Sequence, residues 1–218
     1  MRMKMNFLDA TLVLCVTLLA LLLVRKLLEP PNLVKPVKQL TAPEWKSIAA
    51  TGNRMGSAAS PVLIVEFADF QCRACRTLAL ELRQIRAMYP NRLSVLYRHL
   101  PITGGAESRM AATGSECAAV QGRFGAYHDL LYDKQDSIGL IAWDDLAIRA
   151  KVPRIVDFNT CMRKNTFSHR ITDDSLAGER LGVNATPAFL VNGSLYVGAP
   201  SADVLRGIVA QSTQQEHK

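Results

Sequence analysis

The amino-acid sequence predicts an α/β domain that carries an inserted block of helices and is preceded by one N-terminal transmembrane helix. Three observations lead to this prediction. A strand–helix–strand pattern opens the globular part, and a long run of helical periodicity without strand patterning interrupts it before strands return. Ahead of the globular part, residues 1–26 contain an apolar stretch of membrane-spanning length.

The distribution of charge argues against nucleic acid as a partner. The 218 residues carry a formal net charge of +7 at pH 7, which raises the question of a polyanion. Residues 1–60 hold eight basic and three acidic residues, or +5, whereas residues 61–218 hold 18 basic and 16 acidic residues, or +2. The globular part is therefore nearly balanced, and it has no basic stripe interleaved with aromatics. The hydrophobic content of 49% also excludes a disordered chain.

The N-terminal apolar stretch predicts a signal anchor over residues 1–26. Phe7–Val24 contains one charged residue, Asp9, and a membrane-spanning helix needs about 17–25 predominantly apolar residues. No small-residue cleavage site follows the stretch, so we expect it to remain uncleaved; a cleaved signal peptide is the alternative. Cys15 is then a membrane-buried thiol. Basic residues lie at both ends of the apolar stretch, so the positive-inside rule does not decide its orientation in the membrane.

Residues 27–59 predict a tether with one short helix. Four prolines in this stretch favour extended backbone and interrupt helices. The segment Thr41–Glu44 matches a capping box, which predicts a helix through Trp45 that ends before Gly52. Trp45 either packs on the main domain or lies among lipid headgroups.

The globular domain is expected over residues 60–212. The β-branched run Val62–Phe67 predicts a strand buried on both faces, a helix follows from Arg73 to Pro90, and Leu93–Tyr97 is the next strand. A parallel strand pair is therefore expected. Residues 106–168 are expected to form helices only, with a 3,4,3,4 apolar repeat from Cys117 to Leu131, and a further helix ends near Gly182. Strands Pro187–Val191 and Leu195–Val197 then flank the hairpin signal Asn192-Gly193. A helix Ala202–Val209 and a polar tail over 213–218 complete the prediction.

Two cysteines at the start of the first helix predict redox chemistry. Cys72-Arg73-Ala74-Cys75 directly follows the first strand, where two cysteines three apart on one helical turn can close a disulfide. The first cysteine faces free backbone N–H groups and the positive end of the helix dipole, which stabilise a thiolate. Arg73 adds a nearby cation. A stabilised thiolate favours the reduced pair and makes the disulfide a better oxidant.

The alternative for this motif is half of a zinc site. Such a site usually needs a second Cys/His pair at similar spacing. The other cysteines of the globular part, Cys117 and Cys161, stand alone, and the four histidines are scattered. We therefore expect neither a metal nor a cofactor.

Two further features lie near the redox motif in the predicted fold. Glu66 lies inside the first strand, six residues before Cys72. It is either a solvent-facing carboxylate on an edge strand or a buried acid with a raised pKa that relays protons, and the apolar surroundings favour the buried acid. Thr186-Pro187 directly precedes a predicted strand, a place where proline has few tolerated roles; a cis-proline turn is one of them.

The segments Glu66–Cys75 and Gly182–Gly193 resemble the active-site and cis-proline segments of the DsbA-like thiol–disulfide oxidoreductases. Gln121–Phe124 and Tyr127–Leu131 resemble that family's inserted helical block. The resemblance covers about residues 60–212, and the order of elements agrees throughout. It implies a thioredoxin-like fold interrupted by a helical domain.

The resemblance also implies a role for each site residue. Cys72 would be the exposed nucleophile and Cys75 the buried resolving thiol, with Glu66 as the family's buried acid and Pro187 as its cis-proline. Substrate would bind against Thr186, Arg73 and Ala74, since Thr186 precedes the proline where substrate backbone would pair. The well-studied bacterial oxidases carry Pro-His between the cysteines, so this chain lacks a histidine to stabilise the thiolate.

Cys117 and Cys161 are expected on apolar helix faces. They are either two buried, inert thiols or a structural disulfide. The resemblance implies an oxidising compartment and includes members with cysteines at such positions, so we favour the disulfide.

The predicted function is a dithiol oxidase that exchanges the Cys72–Cys75 disulfide with exported proteins. The expected location is the bacterial inner membrane, with a single span and the catalytic domain facing the periplasm or the cell exterior. The expected partners are exported proteins with thiols or disulfides, a membrane redox partner (a quinone-linked oxidase or an electron donor) and the membrane itself. The alternatives are a reductase or isomerase of the same fold, as in cytochrome maturation, and a non-catalytic binding or assembly module.

Overall fold

The structure, a computed structural model, describes residues 13, 15–22, 24 and 35–215. The chain divides into two compact units, residues 1–33 and 34–218. The described residues of the first unit are helical, and much of the predicted span Phe7–Val24 lies outside them. Within the described residues, no helix is long and apolar enough to cross a membrane.

The second unit contains a mixed sheet, which six strands form within the described residues in the order β1-β6-β5-β3-β4-β2. The strands are β1 (Lys38–Gln39), β2 (Asn53–Met55), β3 (Val62–Ala68), β4 (Leu93–His99), β5 (Ala188–Val191) and β6 (Ser194–Val197). β3 and β4 pair in parallel, as the strand–helix–strand pattern predicts, and the other neighbours pair antiparallel. The predicted α/β class is confirmed.

One face of β3 packs into the main hydrophobic cluster, and the other face carries a buried acid. Val65 and Phe67 pack into a hydrophobic cluster with residues of β4, β5 and β6. Because side chains alternate along a strand, Glu66 lies on the opposite face. Its neighbour in the parallel register is Tyr97 on β4, so the acid and the phenol share that face.

The helix α2 (Arg73–Met88) begins directly at the redox motif. Its apolar side chains Leu78, Leu82 and Ile85 are buried, and their spacing of four and three residues places them on one face of the helix. Its polar side reaches the helical insertion, because the Arg83 guanidinium donates to both oxygens of Asp133 at 2.9 and 3.2 Å. This ion pair joins the C-terminal half of α2 to the helical insertion.

The helical insertion lies between β4 and β5. With the helix α7 that follows it, its helices are α3 (Gly105–Ala119), α4 (Phe124–Asp133), α5 (Trp143–Arg149), α6 (Ile155–Lys164) and α7 (Ser168–Arg180). The 3,4,3,4 repeat from Cys117 to Leu131 falls on two helices, α3 and α4. The chain turns at Gly122, whose φ is +70°, and Val120 is 49% exposed. A residue that favours the left-handed region ends the first helix before the repeat can continue.

The predicted tether contributes to the folded unit. β1 pairs with β6 and β2 pairs with β4, and neither strand was expected from the sequence. The short helix α1 (Ala42–Ile48) is present, with Thr41 N donating to Glu44 Oε2 at 2.8 Å. Trp45 packs against the hydrophobic cluster, which is the first of the two predicted alternatives. Strands of two or three residues are too short to show an alternating pattern, which explains why the sequence did not predict them.

The C-terminal elements follow the predicted hairpin. Asn192 and Gly193 have φ values of +46° and +86°, as a tight turn between β5 and β6 requires. The last helix, α8 (Ala202–Gln215), extends beyond the predicted end at Val209 and takes in part of the predicted polar tail. Ser212 is buried in it, and its hydroxyl donates to Ile208 O at 2.9 Å.

Candidate active site

The redox motif occupies the N-terminus of α2. Cys72 is the N-cap, with φ −81° and ψ 118°, and its Sγ accepts a hydrogen bond from Cys75 N at 3.4 Å. The first backbone N–H groups of a helix lack partners within the helix, so a sulfur at the N-cap satisfies one of them. Cys72 is 8% exposed and Cys75 is fully buried. Of the two residues, only Cys72 therefore keeps any exposed surface.

The two thiols have opposite acidities. A hydrogen bond from the Cys75 thiol is the largest cause that lowers the pKa of Cys72, to about 6; burial opposes it, and donation by the Thr186 side chain and by the backbone of Cys75 and Ala74 assists. The Arg73 cation is not among these principal causes. Burial, followed by the hydrogen bond to Cys72, raises the pKa of Cys75 far above its usual value. At neutral pH the pair is therefore a Cys72 thiolate beside a Cys75 thiol.

The second predicted motif lies against the first. The peptide bond between Thr186 and Pro187 is cis, as predicted, and it directly precedes β5. In its thiol form Cys72 donates to the Thr186 carbonyl, with 3.3 Å between Sγ and oxygen. β5 pairs with β3, and this pairing brings together residues 114 apart in the chain.

Glu66 is a buried acid in a central strand. β3 lies between β4 and β5, and the Glu66 side chain has no exposed surface. Within the described residues neither of its carboxyl oxygens has a hydrogen-bond partner. Burial, with a smaller contribution from the charge of Cys72, raises the pKa of Glu66 to about 8. The alternative of a solvent-facing carboxylate on an edge strand is therefore wrong, and Glu66 is protonated at neutral pH.

A second acid shapes the loop between β3 and α2, and the sequence did not single it out. Asp69 is buried; its Oδ1 accepts from Gln71 N at 2.9 Å and its Oδ2 accepts from Thr103 N at 2.6 Å. Cys72 N also donates to Asp69 O at 3.0 Å. Hydrogen bonds to Asp69 thus hold the turn from Asp69 to Cys72 and join this loop to Thr103, in the segment after β4. A carboxylate two residues before a turn N–H is a recognisable signal for such a loop.

An aromatic cluster packs against Phe70 of this loop, and the sequence did not predict it. The Phe70 ring lies 5.1 Å from both the Tyr97 and Tyr132 rings, between centroids. The two phenol oxygens are 3.3 Å apart, and Tyr132 also donates to Asp69 O at 3.5 Å. Gln135, just after α4, donates through Nε2 to Phe70 O at 2.8 Å and to Cys72 O at 2.9 Å. The insertion therefore contacts the backbone of the active-site loop directly.

A buried polar network joins β4 to α3 and α7. His99 Nε2 lies 3.0 Å from Glu116 Oε1, and Asn53 and Arg170 also donate to Glu116. Burial acts to raise the pKa of Glu116, but the hydrogen bond and charge of His99 outweigh it and, with the other donors, lower the pKa to about 2. This carboxylate is therefore ionised and held in place by its donors.

The remaining predicted pair is joined. Cys117 on α3 and Cys161 on α6 form a disulfide, with Cα atoms 5.8 Å apart and a sequence separation of 44. The alternative of two inert thiols is therefore excluded in this structure. Among the residues that the structure describes, no group of three or more His, Cys, Asp or Glu side chains is arranged to hold a metal ion.

Solved structures show the same fold. An oxidised BdbD from Bacillus subtilis matches with a TM-score of 0.67 and 21% identity over 84% of this chain and 100% of that chain. A periplasmic thioredoxin-like protein from Salmonella enterica serovar Typhimurium matches with a TM-score of 0.66 and 23% identity over 81% and 99%. The thiol-disulfide exchange protein α-DsbA2 from Wolbachia pipientis matches with a TM-score of 0.66 and 24% identity, over 78% of this chain and 92% of that chain. These neighbours support the thioredoxin-like fold with its helical insertion.

Curated relatives include proteins named Na⁺/H⁺ antiporter NhaA. One from Mycolicibacterium vanbaalenii is 32% identical over 158 residues, which are 69% of this chain and 25% of the relative; one from Salinispora tropica is 33% identical over 156 residues, 71% and 24%. The chain spans about a quarter of the length of these relatives. A family profile described as thioredoxin matches residues 49–211, well over half of the chain. The protein, with its Cys72–Cys75 motif inside that match, belongs to the thioredoxin family.

Proposed function

We propose that the protein is a thiol–disulfide oxidoreductase that oxidises pairs of thiols in exported proteins. The observation that carries the proposal is the asymmetry of the two sulfurs. Cys72 Sγ lies at the helix N-terminus, 3.4 Å from Cys75 N and 3.3 Å from Thr186 O, whereas Cys75 is fully buried. An accessible sulfur that is a good leaving group, next to a shielded thiol, is the arrangement that disulfide exchange requires.

The first step is an attack on Cys72. A substrate thiolate attacks Sγ of Cys72 in the disulfide form, a bond forms between the two sulfurs, and the Cys72–Cys75 bond breaks. Cys75 leaves with the electron pair and needs a proton, because burial raises its pKa far above its usual value. Glu66 is protonated at neutral pH, and its charge acts on Cys75 when it is ionised, so we assign it as the source of that proton, directly or through a water molecule.

The second step releases the oxidised substrate. A second substrate thiolate attacks the substrate sulfur of the mixed disulfide, and Cys72 leaves as the thiolate that the helix N-terminus stabilises. Two electrons have then passed from the two substrate thiols to the Cys72–Cys75 pair. Glu66 regains its proton from solvent. A membrane redox partner, a quinone-linked oxidase in this proposal, takes the two electrons from Cys72 and Cys75 and restores the disulfide.

The proposed direction is oxidation of the substrate. The pKa of Cys72 is lowered to about 6, so the reduced pair is stabilised at neutral pH and the disulfide is more readily reduced. A reductase or an isomerase would use the same sulfurs with a less stabilised thiolate. A non-catalytic binding module would need neither the lowered pKa of Cys72 nor the buried acid.

The proposed location is the outer face of a bacterial inner membrane, with residues 1–26 as the anchor. The Cys117–Cys161 disulfide supports this location, because structural disulfides persist in oxidising compartments such as the periplasm. The proposed substrates are exported proteins with thiols or disulfides, and the proposed electron acceptor lies in the same membrane.

The test is oxidation of a reduced peptide with two cysteines by the full-length protein in detergent. The wild-type protein should form the peptide disulfide in a stoichiometric burst and should turn over when an oxidant is added. Cys72→Ser should abolish both, and Cys75→Ser should abolish the burst, because without Cys75 there is no disulfide to accept the two electrons. Cys15→Ser is the matched control and should behave as the wild type, since Cys15 lies in the other unit of the chain. Full activity in Cys72→Ser would end the proposal.

A further inference from the structure

A glutamine outside the redox motif contacts the backbone on both sides of Gln71. Gln135 opens the short 3₁₀ helix Gln135–Ser137 that follows α4, and its side chain is 5% exposed. Its single Nε2 atom donates to Phe70 O at 2.8 Å and to Cys72 O at 2.9 Å. One amide therefore spans the loop that leads into the active-site helix.

The Cys72 carbonyl also belongs to α2. It accepts Arg76 N at 3.1 Å, which is the first backbone hydrogen bond of the helix. The Cys72 carbonyl thus accepts hydrogen bonds from both Gln135 and Arg76. Gln135 also donates to the Phe70 carbonyl, two residues before Cys72 in the chain. The orientation of the Cys72 backbone is fixed from the helical insertion as well as from α2.

Neighbouring contacts hold the same turn more weakly. Asp136 Oδ2 accepts from Arg76 at 3.0 Å, but this ion pair is exposed on the acid's side, with 74% of the Asp136 side chain accessible. Exposed ion pairs contribute little, whereas hydrogen bonds in a buried site are strong and costly to leave unmade. The buried Gln135 amide is therefore the main polar link between the insertion and the loop.

We propose that Gln135 is a positioning residue for the nucleophile. It holds the Cys72 backbone so that Sγ stays at the helix N-terminus, within reach of the Cys75 N–H group at 3.4 Å. This inference rests on the proposed function, since it concerns the same sulfur. Without the amide, Phe70 O and Cys72 O lose a donor, the loop shifts to reach water, and the donors around Sγ no longer converge.

The test is the pH dependence of Cys72 alkylation in Gln135→Met, which has a similar length and no donor. The full-length, reduced protein is used in a Cys15→Ser background. The wild-type midpoint should lie near the Cys72 pKa of about 6. A rise of about one unit would lower the thiolate fraction at pH 6 from about a half to about a tenth, so alkylation should slow about fivefold.

The matched control is Gln121→Met, also in the insertion. Gln121 makes two hydrogen bonds to backbone groups of Arg154, at 2.9 and 3.1 Å, far in sequence from the loop. This variant should leave the midpoint unchanged. If Gln135→Met folds poorly, Gln135→Leu decides by the same measurement, because it also removes the donor and adds no charge beside Cys72.

A role in stability alone gives a different result. In that case the melting temperature of a folded Gln135 variant falls while the Cys72 midpoint stays at its wild-type value, and the inference is overturned. The proposed function fails separately, if the wild-type protein does not oxidise the peptide. The alkylation midpoint still decides the role of Gln135 in that event, because it requires no substrate.

Discussion

Replacing Glu66 by leucine should stabilise the protein, and the gain should grow with pH. The carboxyl is fully buried and both of its oxygens lack partners within the described residues. Its pKa rises from 4.5 to about 8, chiefly through burial. The unfolded chain therefore loses this proton at a lower pH than the folded protein does, and stability is lost as pH rises between these values. Leucine removes the titrating group at a similar volume.

The size of the effect follows from the two pKa values. Each pH unit between 4.5 and 8 removes about 1.4 kcal/mol from the wild-type stability. At pH 7 the accumulated loss is about 3 kcal/mol, and at pH 5 it is below about 1 kcal/mol. Glu66→Leu should therefore exceed the wild type by about 3 kcal/mol at pH 7. The margin should shrink steadily toward pH 5.

The assay is guanidinium unfolding of the oxidised, full-length protein at pH 5, 6, 7 and 8. The oxidised form removes the titration of Cys72. Glu179→Leu is the matched control, because Glu179 is exposed on α7 and a surface substitution changes the free energy of unfolding by less than about 0.5 kcal/mol. A Glu66→Leu difference that is the same at every pH would refute the buried acid. The same variant should oxidise the peptide about tenfold or more slowly, since the proton donor to Cys75 is gone.

Two further predictions concern the insertion. Replacing Cys117 and Cys161 together by serine should lower the free energy of unfolding by about 4 kcal/mol, because the disulfide closes a loop of 44 residues in the unfolded chain. Peptide oxidation should not change. A loss of stability below about 1 kcal/mol would contradict this prediction. The pKa of Glu116 is lowered from 4.5 to about 2, so the ionised carboxylate stabilises the folded protein. This stabilisation is complete above pH 4.5 and is lost as the pH falls toward 2. The wild type should lose about 3 kcal/mol more than Glu116→Gln between pH 5 and 2, measured by urea unfolding, and parallel pH profiles would refute it.

The parts of the site that the sequence predicts are those with local signals. The cysteine pair needs only a strand before it and a helix after it, and the Asn192-Gly193 turn specifies its own hairpin. Glu66 was predicted as buried because apolar residues surround it in the chain. These features depend on neighbours within a few residues, which a single sequence displays.

The features that the sequence did not predict depend on tertiary packing. The contacts of Gln135 and Tyr132 with the loop require that one face of α4 meets the start of α2. Helical periodicity predicts an apolar face but not its partner. The edge strand β1 is likewise stabilised by β6, more than 150 residues away in the sequence, and carries no pattern of its own. The break at Gly122 shows the converse, since a glycine with positive φ outweighs an apparently continuous repeat.

The reduction potential of the Cys72–Cys75 pair tests the central proposal most directly. Equilibration of the full-length protein with glutathione buffers, followed by quantification of the reduced and oxidised forms, gives this potential. Because the Cys72 pKa is lowered to about 6, the reduced pair should be stabilised and the potential should be less negative than that of thioredoxin, shifted toward that of DsbA, about −120 mV. A potential near that of thioredoxin, about −270 mV, would contradict a dithiol oxidase and identify a reductant.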